Sequence, residues 1–142
     1  MTTHPKVEFQ AYSPIACIVT LRGEQDLSGA DVVAAALDIA SAYAYVLVDL
    51  TYCTFADSSL LNMLVRAAKH AQGSGGALEL VVAAGRDAVR RTIEVAKIDT
   101  LVTLHATRGE GIAAIASKTH SLSAKVEDAT LADVTEQTPE QG

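Results

Sequence analysis

The sequence predicts an α/β domain in which about four helices cover a central mixed β-sheet of about five strands. Three observations carry this expectation. The chain has 142 residues, 49% of them hydrophobic and only 4% aromatic, which suits one domain with an aliphatic core. Strand-like and helix-like stretches alternate along it, the order of a layered fold with right-handed crossovers. The run Val46–Leu50 is apolar on both sides of the pleat, as in a strand covered by helices on both faces.

Taken in order, Val7–Phe9 and Ile15–Leu21 read as the first two strands. The second is rich in β-branched residues, follows Pro14 and is ended by Gly23. Ser28 and Asp31 have capping-box spacing, and Val32, Val33, Ala36, Leu37 and Ala40 share a face, predicting a helix near 29–42. After strand Val46–Leu50, a short loop through Cys53 reaches Asp57, a good N-cap. The next helix buries Leu60, Leu61, Leu64, Val65 and Ala68, turns Arg66, Lys69 and Gln72 outward, and stops at Gly73, Gly75 and Gly76. Leu78–Val82 is a strand. Arg86–Ala96 is a helix with Val89, Ile93 and Ala96 inward. Leu101–Leu104 is a short strand, and Glu110–Ala116 a last helix anchored by Ile112 and Ile115.

Composition bounds the function classes. The 11 basic and 17 acidic residues leave a net charge of −6, which argues against a direct nucleic-acid binder. Residues 118–142 hold half of that charge, show no clear apolar period and end in Thr-Pro-Glu-Gln-Gly, so they read as an acidic, mostly disordered tail after a domain over 1–117. The polar start of the chain resembles no signal segment, and no apolar run approaches membrane-helix length, so the expectation is a cytoplasmic protein without membrane contact.

Candidate chemistry is sparse. Gly73-Ser74-Gly75-Gly76 follows a helix and opens a strand, the reverse of a phosphate loop, and reads as a turn. Asp49, at the expected end of a central strand, lacks the acidic pair and lysine of a phospho-acceptor site and reads as structural. His4, His70, His105 and His120 lack metal spacing. Cys17 and Cys53 lack zinc spacing and read as buried strand residues, able to form a redox pair only if their strands adjoin. Ser58 is not in a Gly-x-Ser-x-Gly elbow. No metal, cofactor or catalytic set is expected, and the chain is not read as an enzyme. Asp57-Ser58-Ser59 stands apart, because it places a hydroxyl in the first turn of a helix. Added phosphate there would meet unpaired N–H groups yet sit beside a carboxylate.

Leu21-Arg22-Gly23-Glu24-Gln25-Asp26-Leu27, Val46–Leu50, Phe55-Ala56-Asp57-Ser58-Ser59-Leu60-Leu61, Gly75-Gly76 before Leu78–Val81, and Val89–Ile93 follow one another in consistent order. Together they resemble the STAS domain family, and more narrowly bacterial anti-sigma factor antagonists (anti-anti-sigma factors). The similarity spans roughly residues 7–117. It implies a STAS-like layered domain that binds an anti-sigma factor of the serine-protein kinase type while unphosphorylated, freeing a sigma factor. Phosphorylation of Ser58 by that partner ends the complex, and a phosphatase resets it. The implied partner face is Asp26, Leu27, Ser28, Asp57, Ser58, Ser59, Leu60 and Asn62. Leu60 and Asn62 stand where the family has two glycines. Leu60 is expected to add bulk beside Ser58, which leaves a constitutive, non-phosphorylated interaction module as the alternative.

Overall fold

The computed structural model describes residues 6–25 and 29–120. Five strands lie side by side in chain order: β1 (Val7–Ser13), β2 (Ala16–Gln25), β3 (Tyr45–Ala56), β4 (Ala77–Val81) and β5 (Thr103–His105). β1 is antiparallel to β2, and the other pairs are parallel, so the sheet is mixed. Among the described residues there are four helices: α1 (Ala30–Ala40), α2 (Ser58–Gly73), α3 (Asp87–Val95) and α4 over 108–120, with a 3-10 turn at Ile98–Thr100.

Period-2 alternation divides the sheet into two faces. Cys17, Val19 and Leu21 of β2, Val46, Val48 and Leu50 of β3, and Leu78 and Leu80 of β4 join Val33, Leu37, Leu64, Val89 and Ile93 of α1, α2 and α3 in one large apolar cluster. The alternate residues Ala16, Ile18, Leu47 and Val81 form a small second cluster with Ile115 of α4. The three crossover helices therefore share one face, and α4 covers the other.

Two close approaches fix this stacking. A Cβ on Gly76 would lie 1.7 Å from the Ala44 carbonyl oxygen, so only glycine fits where α2 turns into β4. Gly75 before it holds φ +84°, and the Gly76 N–H bonds back to Ala71 O at 2.8 Å, closing the helix as the glycine run implied. On the opposite face, a Cβ on Gly111 would meet Leu47 Cδ1 and Val81 Cγ2 at 2.9 Å, which lets α4 lie close on the sheet.

Several expectations are corrected. Gly23 does not end β2; it sits within the strand at φ +70°, between two register shifts against β3. The same shifts let β3 run on to Ala56 through what reads as a loop, because each inserted residue breaks the alternation a strand search relies on. Asp49 is thus mid-strand. β5 begins at Thr103, since the 3-10 turn and its exit consume residues 98–102. Val32 and Ala96 are exposed rather than inward. The N-cap of α1 is Gly29, without a side-chain cap, and Ser28 lies outside the described residues. α4 starts two residues early and continues through 120, past the expected boundary at 118, with Lys118 paired to Glu79 at 2.7 Å.

Candidate partner-docking site

The site is built at the carboxyl end of β3. The strand pairs with β2 up to Gln25↔Ala56, then Asp57 leaves it with extended backbone (φ −96°, ψ −179°) and caps α2. Its Oδ1 accepts from the Ser59 N–H at 3.0 Å and the Leu60 N–H at 3.2 Å, satisfying two of the donors that a helix start leaves open. Ser58 is therefore the first helical residue, and it is exposed.

Helical spacing then sorts the expected face. Asn62, Arg66 and Lys69 are exposed on the same outer ridge as Ser58, at offsets of four, eight and eleven residues. Ser59 and Asp57 are half-buried. Leu60 is only 1% exposed and points into the core with Leu64, so it adds no bulk beside the serine. A search weighing only the order of residues places Leu60 on the partner face; its offset from Leu64 on the helix turns it inward. Asp26, Leu27 and Ser28, which follow Gln25, lie outside the described residues.

Two aromatic rings that sequence reasoning did not place at a surface flank the strand end. Phe55 is 48% exposed and Tyr52 47%. The Arg22 guanidinium stacks 4.5 Å over the Tyr52 ring and pairs with Glu8 at 3.6 Å. Half-exposed aromatics at a sheet end are the kind of anchor that protein interfaces favour. Ser58 stands at the positive end of the α2 dipole, which the Asp57 carboxylate partly offsets; α2 itself contains no acidic residue and carries Arg66 and Lys69 further along.

Buried ionisable groups lie elsewhere, under α4. Asp49 is wholly buried; it accepts from the Thr51 N–H at 2.9 Å and from the Thr51 hydroxyl, and pairs with Arg108 Nη1 at 2.6 Å. Glu79 pairs with His105 Nε2 at 2.8 Å and Lys118 Nζ at 2.7 Å. These are internal clasps, as the structural reading of Asp49 requires. The cysteines are not a pair. β2 and β3 do adjoin, but Cys17 faces Val46 and Cys53 faces Gly23, seven residues further along β3, which at about 3.3 Å per residue is far beyond disulfide reach. Burial pushes the Cys17 thiol up to about 12, and Cys53 upward as well, against the smaller opposing pull of its Phe55 backbone bond and Arg86. Among the described residues no three His, Cys, Asp or Glu converge to hold a metal ion, and no helix is long and apolar enough to cross a membrane.

The strand order, with a serine at the opening of α2, defines an α/β domain of STAS type. The family model described as "Mlab, STAS domain" matches residues 9–103, more than half of the chain, and the chain belongs to that family. Solved structures share the fold. The anti-sigma factor antagonist SpoIIAA in its unphosphorylated form is 17% identical, with a TM-score of 0.67 over 78% of this chain and 96% of that one. An anti-sigma factor antagonist from Mycobacterium paratuberculosis is 21% identical, with a TM-score of 0.67 over 76% and 91%. The Bacillus cell fate determinant SpoIIAA in its phosphorylated form is 16% identical, with a TM-score of 0.62 over 77% and 98%. No curated protein matches the chain in a sequence search.

Proposed function

We propose that this chain is an anti-sigma factor antagonist, a cytoplasmic binding module rather than an enzyme. In its unphosphorylated form it holds an anti-sigma factor of the serine-kinase type and so frees a sigma factor. The partner transfers the γ-phosphoryl group of ATP to Ser58 Oγ, releasing ADP and the hydroxyl proton, and the complex separates. A phosphatase hydrolyses the ester and restores the hydroxyl. The observation that carries this reading is the exposure of Ser58 at the start of α2, fixed there by the Asp57 cap. The shared fold with SpoIIAA, solved in both phosphorylation states, supports it.

The local electrostatics explain why phosphate would act as a release signal. Two of the N–H groups at the helix start, those of Ser59 and Leu60, are already engaged by Asp57, so about −1.5 to −2 charges would be added beside a carboxylate with fewer donors left to absorb them. That charge would face the docked protein. The test uses the anti-sigma kinase that co-purifies from the native host. With ATP, the wild type is expected to gain one phosphate at Ser58 and Ser58→Ala none. Ser58→Glu is expected to weaken the complex at least about tenfold through like-charge placement at the interface. Phosphate on the alanine variant would overturn the site.

The alternative, a constitutive interaction module, is favoured by Asn62, which stands exposed one turn after Ser58 where the family has glycine. Its other motive, bulk from Leu60 at the switch, is removed by the burial of that side chain. Unchanged binding by Ser58→Glu would select this reading.

A further inference from the structure

The outer sides of α1 and α2 carry opposite charge. α1 holds Asp31 and Asp38 and no basic residue, and α2 holds Arg66 and Lys69 and no acidic one. All four are exposed, and among the described residues none of them makes an ion pair. The groove between the helices has a volume of about 310 Å³, with Leu37, Met63 and Ala67 lining it and Asp38 and Arg66 at its rims. In a chain of net charge −6, this face balances to zero.

We propose that this face joins two copies of the chain, related by a two-fold axis running along the α1–α2 groove. Both helices cross over between parallel strands, so they run in the same direction. Rotation about an axis parallel to them lays α1 of one copy on α2 of the other and leaves heights along the helices unchanged. Asp38 and Arg66 line the same groove, and about one turn further on Ser41 O and His70 Nε2 meet at 3.2 Å across it, so the two stand at about the same height. Each Asp38 therefore meets the second copy's Arg66, and the contact occurs twice, as an isologous interface demands.

The charge order selects the occupant. An acidic partner would satisfy α2 and be repelled by α1, and a basic partner the reverse. A surface that offers both signs in transposed order satisfies both, and a second copy has that order by symmetry. The face is small. Helices of 11 and 16 residues laid side by side present roughly 400 Å², about half of what one side of a stable interface buries. The dimer is therefore of the small, weak class, and association is expected between roughly 10 μM and 1 mM.

Sedimentation equilibrium of the full chain from about 10 μM to 1 mM tests this. The wild type is expected to associate reversibly to a dimer. Asp38→Lys and Arg66→Glu, both at exposed positions and checked for folding by circular dichroism, each replace two attractive contacts by two repulsive ones and should raise the dissociation constant about tenfold. In an equimolar mixture of the two variants, the introduced lysine of one copy meets the introduced glutamate of the other, while the first copy's Arg66 meets the second copy's Asp38. That mixture should associate as the wild type does. Rescue of this kind cannot arise within one chain. A wild type that stays monomeric at 1 mM, a dimer indifferent to both substitutions, or a mixture no more associated than its components would each overturn the proposal. None of these results depends on Ser58.

Discussion

The two faces of the sheet are covered by different means. Beneath α1, α2 and α3 lies a continuous apolar cluster from Cys17 to Val102, with no buried charge in it. Beneath α4 the apolar contact shrinks to Ala16, Ile18, Leu47, Val81 and Ile115, and every buried polar side chain of the described core, Thr20, Asp49 and Glu79, stands on this side. α4 is held near both ends by ions: Arg108 reaches Asp49 and Thr20 at its start, and Lys118 reaches Glu79 near its end. One face is stabilised by removing surface from water, which any well-packed side chain can do. The other depends on particular partners, since a buried carboxylate that loses its cation retains the whole cost of its desolvation.

The sharpest way to break this comparison is to damage each face and then attempt repair. Leu64 is wholly buried in the large cluster, and Leu64→Ala is expected to cost about 3 kcal/mol in urea unfolding, recovered by no second change of charge. Arg108→Met should cost about 2 kcal/mol, less than a fully buried pair, because the Arg108 side chain is 34% exposed and Asp49 keeps its Thr51 bonds. Adding Asp49→Asn to Arg108→Met should return most of that loss, since the stranded charge is then gone. If Arg108→Met leaves stability within about 0.5 kcal/mol of wild type, α4 is not held by its ions.

The same contrast explains what was legible in the sequence. The crossover helices and the strands beneath them announce themselves by periodicity, and Val33, Leu37, Leu64, Val89 and Ile93 fall where their spacing places them. Asp57 was legible as a cap for the same reason, because N-cap chemistry is local. The polar face was not. Asp49 and Glu79 sit in apolar strands, but their partners Arg108, His105 and Lys118 lie 59, 26 and 39 residues away, at separations no local pattern encodes. The start of α4 is legible in its cap. Thr107 accepts from the Glu110 N–H at 3.1 Å, and Glu110 in turn accepts from the Ala106 N–H at 3.2 Å, so Thr-x-x-Glu marked the helix two residues before its apolar period does. Position relative to the core also escaped a linear reading. Leu60 directly follows the serine pair in sequence and belongs to the core in space.

A smaller effect probes how closely α4 must lie. Gly111→Ala would bring a methyl to 2.9 Å from Leu47 Cδ1 and Val81 Cγ2. Both neighbours are side-chain tips that can shift by some tenths of an ångström, so the expected loss is about 1 kcal/mol, at the low end of overpacking costs, offset in part by the better helix propensity of alanine. A loss above about 3 kcal/mol would mean that α4 cannot give at all, and that its packing as well as its ions fixes the second face.

The last effect concerns the apolar face and appears only in alkali. Cys17 is fully buried there, and desolvation pushes its thiol from an ordinary value of 9 up to about 12. Between those values the unfolded chain releases a proton that the folded chain retains, so the contribution to stability is complete below pH 9 and is lost as pH rises toward 12. Cys17→Val keeps a small apolar side chain at the position and removes the titration. Urea unfolding at about pH 8, 9.5 and 10.5 should therefore show the variant losing less stability than the wild type across that range, while the two stay parallel below about pH 9. Parallel curves throughout would mean that the thiol is reached by water, and a thiol reagent that labels Cys17 in the folded chain at about pH 8 would report the same opening directly.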